Sequence, residues 1–235
     1  MSDKDKAVKI AEGIDKLLRT RFGKAPDSLN LSMDSDCLVI HMKGFVHPFE
    51  AALLAEQSEK TFRYTRELMM KAFVPDLTLL LDEENLNAES FYYDWSADDA
   101  SGTIVALFRS EPCHRQTYIG REELHVRLDA ALSRSHKVPS YIDSWWVDPR
   151  TLVIFRKGIF GLLEKELYDL DYEDILKTAK RRLEKRTIKQ NLDIGRYVRR
   201  RMSEIYVDWN FGKSDSVLVC RFDSAQKTEA GRSIE

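Results

Sequence analysis

Two Asp-Trp pairs, Asp94-Trp95 and Asp208-Trp209, are the best-placed chemistry in this sequence. A carboxylate beside an indole can hold a cation or a polar ligand, the acid through its charge and the ring through its electron-rich face. Each pair belongs to a phrase that the chain writes twice, "YYDWSADDASGTIVALF" from residue 92 and "YVDWNFGKSDSVLVCRF" from residue 206. Tyr92, Asp94, Trp95, Val105 and Phe108 return 114 positions later as Tyr206, Asp208, Trp209, Val219 and Phe222. Two of the four tryptophans fall in this pattern, so coincidence explains it poorly. The competing reading is structural. Asp opens a strand-to-strand turn and Trp packs the sheet onto its helices, and residues beside turns are commonly of these types. The structural reading is the favoured one.

Glu50 and Glu164 share the same offset and fall early in a predicted helix, where a carboxylate complements the positive end of the helix dipole. As a pair they could do acid-base work, but nothing in the sequence brings them together, so capping is the expected role. The histidines are His41, His47, His114, His125 and His136; none has a histidine at the repeat-equivalent position, and no two stand four apart on a helix. Cys113-His114 lacks two further ligands nearby, and a zinc site needs about four. No metal and no cofactor is expected. The phosphate-loop, dinucleotide and nucleophile-elbow motifs are all missing from the sequence.

From Lys177 to Arg201 the chain carries eleven Lys and Arg against only Glu184 and Asp193. A solvated helix normally mixes signs, so this stretch predicts a docking surface centred on Lys177, Arg181, Arg182, Arg199 and Arg200, facing something acidic. The corresponding helices of the first half carry Glu56, Glu59, Glu67, Asp76, Asp82, Glu83 and Glu84. Self-association, within the chain or between chains, therefore ranks ahead of a separate acidic protein or lipid surface, and nucleic acid comes third. The charge is also split by halves: residues 1–115 hold 14 Lys+Arg against 20 Asp+Glu, the remainder 23 against 19.

The elements that must position these residues repeat as well. An opening helix uses Ile10, Ile14, Leu17 and Leu18 in one copy and Leu124, Leu128, Ala131 and Leu132 in the other. Two strands follow around an Asp-containing turn, ending at Gly44 or Gly158. A long helix comes next, with Leu54, Phe62, Thr65 and Met69 matching Tyr168, Leu176, Ala179 and Leu183. Pro75 is expected to split it in the first copy, because proline lacks the helical donor. In the second copy the helical pattern is expected to run on through Ile188, Leu192, Gly195, Val198 and Met202. The Asp-Trp phrase supplies the last two strands. The predicted class is α+β: two tandem helix-strand-strand-helix-helix-strand-strand units, each an antiparallel sheet covered by helices. The expected boundaries are 1–110, a polar linker at 111–120, 121–223, and a tail at 224–235.

At 235 residues, 43% hydrophobic and 32% charged, the chain has an ordinary globular composition. No apolar run approaches the ~20 residues of a membrane span. The N-terminal stretch has no apolar signal region, and Cys37, Cys113 and Cys220 are odd in number and widely spaced, which points to reduced thiols in a cytoplasm.

"RFGKAPDSLNLSMDSDCLVIHMKGFVHPFEAALLAEQ", together with the Asp of "YYDW" before "TIVALF", resembles the core of the MpsC-like family, named for a component of a bacterial sodium-translocating, membrane-potential-generating system. The resemblance covers residues 7–108 well. Residues 121–223 match it more weakly: "GIFGLLEKEL" keeps Gly158 and Glu164 but loses the proline. Typical members resemble one half of this chain, which would make it a fused pair. The resemblance implies a non-catalytic, peripheral or regulatory partner of a membrane ion or bicarbonate transport system, with transport itself done by membrane subunits. The alternative is an enzyme or small-ligand-binding protein that uses the Asp-Trp motifs.

Overall fold

The computed structural model describes residues 3–56, 58–112, 116–133 and 137–223. The first half runs α1 (Asp3–Phe22), β1 (Ser28–Met33), β2 (Cys37–Lys43), α2 (Pro48–Ala55), α3 (Glu59–Glu83), β3 (Ser90–Ser96) and β4 (Ser101–Leu107). The second half repeats the order as α4 (Arg121–Leu132), β5 (Tyr141–Asp148), β6 (Thr151–Lys157), α5 (Leu162–Asp169) and α6 (Glu173–Asn191), adds a short α7 (Ile194–Val198), and closes with β7 (Met202–Asn210) and β8 (Asp215–Phe222). Each half folds a four-stranded antiparallel sheet, ordered β1-β2-β4-β3 and β5-β6-β8-β7.

Strand periodicity explains how the layers stack. Side chains alternate faces along a strand, so odd and even positions of one strand enter different cores. Leu38, Ile40, Ile104 and Ala106 pack with Ile10, Ile14 and Phe73 under the first half's helices. Leu152, Ile154, Leu218 and Cys220 do the same with Leu124, Leu128 and Ile188 in the second. The intervening positions, Cys37, Val39, Val105 and Leu107 on one sheet and Trp145, Val153, Phe155 and Val219 on the other, form a third apolar layer. The two sheets therefore lie face to face with helices outside. Burial on both faces explains why "TIVALF" and "TLVIF" read as unbroken apolar runs.

Three local expectations are corrected. Pro75 does not split α3, which runs through it; Phe73, Leu77 and Leu81 are fully buried on either side, and their packing outweighs one lost helical bond. The break between the two helices lies earlier, between Ala55 and Glu59. In the second half α6 ends at Asn191, and Met202 begins a strand instead of continuing a helix. Asp94 and Asp208 stand inside β3 and β7, several residues before the turns that follow Ser96 and Asn210.

Gly44 and Gly158 close β2 and β6 at φ of +62° and +74°, a left-handed conformation that L side chains resist. A Cβ on Gly158 would lie 2.3 Å from the Ser140 hydroxyl oxygen. Gly158→Ala should lower stability by about 1–2 kcal/mol, the usual cost of that conformation for alanine, seen as a lower urea midpoint at unchanged slope. An unchanged midpoint would show that the turn adapts.

Candidate functional site

β3 and β7 are edge strands of their sheets, and an edge strand presents backbone N–H and C=O groups that need partners. The two Asp residues supply them across the junction of the halves. Asp208 Oδ2 accepts from the Tyr93 backbone N–H at 2.9 Å, and Asp94 Oδ2 accepts from the Val207 N–H, also at 2.9 Å. The exchange is reciprocal. Each acid binds the residue that precedes its counterpart.

Arg181, on α6, fills the space between them. Its Nε donates to the Val207 carbonyl at 3.2 Å and lies 3.0 Å from Asp94 Oδ1; its Nη2 donates to the Tyr93 carbonyl at 3.1 Å and to Asp208 Oδ1 at 3.0 Å. Both carbonyls and both carboxylates of the junction thus converge on one guanidinium, which is 1% exposed. Arg63 stands 3.7 Å from Asp94 and Lys177 3.6 Å from Asp208, at positions 114 apart. Glu67, the position equivalent to Arg181, lies 3.6 Å from it. Lys185 adds an ion pair to Asp94 at 2.5 Å.

The electrostatics follow from the count of neighbours. Burial works against the charge of Arg181, but Asp94, Asp208 and Glu67 reverse that and hold its pKa above the ordinary value. Burial would raise Asp94; Lys185, Arg181 and Arg63 overcome it and bring Asp94 below the usual carboxylate range. For Asp208, burial and the repulsion of Glu67 outweigh Lys177, Arg181 and the Tyr93 N–H, and its pKa is raised. Lys185 lies below its usual value even beside Asp94, because burial and the guanidinium groups of Arg181 and Arg63 disfavour another cation there.

Trp95 and Trp209 do not share a pocket. Trp95 packs in the first core and Trp209 in the second, each beneath its own helices. The Arg66 guanidinium lies 4.5 Å from the Trp95 ring centre and makes a two-point bond to Glu50, at 2.5 and 2.6 Å. At the equivalent place Lys180 lies 5.8 Å from Trp209 and pairs with Glu164. Both acids also cap: Glu50 accepts from the His47 N–H at 2.8 Å and Glu164 from the Gly161 N–H at 2.6 Å. Each half thus holds its own tryptophan-cation-glutamate stack, and no contact joins Glu50 to Glu164 among the described residues.

The expected docking surface is divided. Lys177 and Arg181 are buried and held by carboxylates, so they cannot meet a partner; the physical reason is that α6 turns positions 177 and 181 toward the junction. Arg200 lies 4.6 Å from the Trp146 ring and donates to the Pro149 carbonyl. Arg182 and Arg199 remain exposed. Cys113, His114, His136 and the tail from 224 lie outside the described residues.

Sequence reasoning missed the cross-junction tyrosines. Tyr92 donates to Asp215 at 2.6 Å, and Tyr206 bonds Ser101 at 2.6 Å, another reciprocal pair. It also missed Glu204, which accepts from Tyr206 at 2.7 Å and lies 2.5 Å from His41 Nε2 and 2.7 Å from Lys43. Burial opposes the charge of Glu204, but these three partners hold its pKa well below the usual value. Extending the 114-residue offset from Tyr92/Tyr206 to Arg63/Lys177 and Arg66/Lys180 would have found most of the network.

Two outcomes test the joint. Arg181→Glu should cost about 3–5 kcal/mol, as removal of one partner from a buried ion cluster does. Adding Glu67→Arg, which returns a guanidinium from the equivalent position, should recover a substantial part of that loss in urea unfolding; additive losses would refute the equivalence. Separately, burial raises Asp215 from the ordinary carboxylate value of 3.8 to about 6, against the Tyr92 bond and the lysines that lower it. The folded form then takes up a proton before the unfolded chain does, so Asp215 adds stability as pH falls from 7 to 5. Wild type should gain about 1 kcal/mol relative to Asp215→Asn over that interval, measured by unfolding at both pH values.

Residues 2–110 match the family model described as "Na+-translocating membrane potential-generating system (MpsC)". No curated protein and no solved structure matches the chain. The similarity to the MpsC family covers 109 of the 235 residues, just under half of the chain.

Proposed function

We propose that the chain is a non-catalytic binding or regulatory protein, built as a tandem pair of MpsC-type units at 1–110 and 121–223 with the connection at 111–120. In this reading it is a cytoplasmic, peripheral partner of a membrane ion-transport system, and the ion-moving work belongs to other subunits. The family match carries the reading. It is supported by the absence, among the described residues, of any helix long and apolar enough to cross a membrane. The fate of the strongest chemical candidates also favours it: Asp94, Asp208, Glu50 and Glu164 are all engaged in holding the fold.

Docking is assigned to the exposed part of the basic stretch, Arg182, Arg186 and Arg199, none of which has a charged partner within the described residues. Guanidinium groups suit an acidic protein surface because each can grip a carboxylate at two points. Replacing the three by Ser should leave stability within about 0.5 kcal/mol, since these are surface positions. The same variant should recover less partner in a pull-down from membrane and soluble fractions. The wild-type yield should fall as salt rises, because exposed charges are screened over about 8 Å at physiological ionic strength. Equal recovery by both proteins at every salt concentration would remove the docking role.

A further inference from the structure

We infer that a cleft beside the joint binds a small zwitterion of the amino-acid class. The cleft has a volume of about 690 Å³ and opens between α3 and the β3–β4 turn of the first half and α6 and β7 of the second. That size lies within the usual range for small-molecule sites. The cations that line it, Arg63, Lys185 and Lys189, come from helices. Asp98 and Asp99 come from the turn, and Leu54, Trp95 and Ile205 give apolar surface between the two signs.

The groups still open to a ligand define its chemistry. Glu204 is taken by His41 and Lys43, and Lys185 by Asp94. Arg63 gives its Nε to Glu59 at 2.9 Å, but its Nη1 is buried with no hydrogen bond, since Asp94 at 3.7 Å is out of range. A buried donor left unbonded is costly, and an arriving acceptor would recover that cost. A small turn of the guanidinium presents Nη1 to the cleft, which Lys189 lines from α6. Lys189 and Asp98 have no ion-pair partner among the described residues. A carboxylate therefore goes to Arg63 and Lys189 and an ammonium to Asp98, with apolar substance between them. A bare anion would meet the aspartates, and a bare cation the helix side.

The repeat-equivalent cleft, lined by α3 and β3 of the first half and by α5, α6 and β7 of the second, has diverged. It is smaller, about 440 Å³, and Pro75, Gly212, Phe211 and Tyr168 occupy the places of Lys189, Asp98, Ala97 and Leu54. Both open charges are gone there. One ligand per chain is the expected stoichiometry.

Isothermal titration of the full chain with each of the proteinogenic L-amino acids tests this, with sodium acetate as a bare anion. For any amino acid that binds, the N-acetyl and amide forms are titrated too. At least one amino acid should bind once per chain, and blocking either charge should weaken it by about tenfold or more, the worth of a charge-assisted bond. Lys189→Ala and Asp98→Asn, both exposed substitutions whose folding is checked by circular dichroism, should weaken it comparably. The inference fails if no amino acid binds, if acetate binds equally well, if two ligands bind per chain, or if both variants bind like wild type. The docking strip at Arg182 and Arg199 plays no part in this test, so the two readings stand or fall separately.

Discussion

One guanidinium holds the edges of two sheets together. Edge strands are usually left to water or blunted by charge, but β3 and β7 are buried against one another, so every backbone group along their contact needs a partner. Asp94 and Asp208 answer the two N–H groups and Arg181 answers the two carbonyls. A buried ion cluster of this kind is weak evidence of net stability, because desolvation opposes the attraction. What it supplies is register. Slipping either strand by one residue would leave four polar groups and three charges unsatisfied at once, whereas the apolar layer between the sheets would tolerate the shift far better.

The architecture was legible in the sequence because it rests on periodicity. The helix faces at Ile10, Ile14 and Leu18 and at Leu124, Leu128 and Leu132 are buried as their spacing requires, and the strands end where Gly44 and Gly158 stand. Glu50 and Glu164 cap their helices, as their place in the first turn implies. The junction was not legible, for a definite reason. Hydropathy assigns Lys177, Lys180, Arg181 and Glu184 to water, yet all four are buried, since the acids that neutralise the first three come from other strands and helices, Asp94 for Arg181 lying on the other half's sheet. A charged face is predicted to be solvated until its counter-charges are known, and those are a property of the tertiary fold. Asp94 was misread as a turn former by the same logic: its type is common at turns, and its actual role depends on a strand 113 residues on.

The likeness of the halves and their differences carry separate information. Shared contacts, such as Tyr92 with Asp215 and Tyr206 with Ser101, keep the exchange between the halves reciprocal. Positions 67 and 181 break it. In a pair of identical subunits both would be the same residue, and two like charges would face each other near the axis. Here one is Glu and the other Arg, so the halves are complementary to each other and not to themselves. The clefts have parted in the same way: Lys189 and Asp98 line one, and Pro75 and Gly212 stand at their places in the other.

Carrying both sheets on one chain gives this arrangement a property that separate subunits lack. Two free units meet at a rate set by their concentration, and at low copy number their pair dissociates. Units joined by a short chain meet at a local concentration fixed by the tether, in the millimolar range for short flexible links. The assembled form is therefore insensitive to gene dosage. A cell that keeps only a few copies would still hold every one of them whole, with its halves matched one to one.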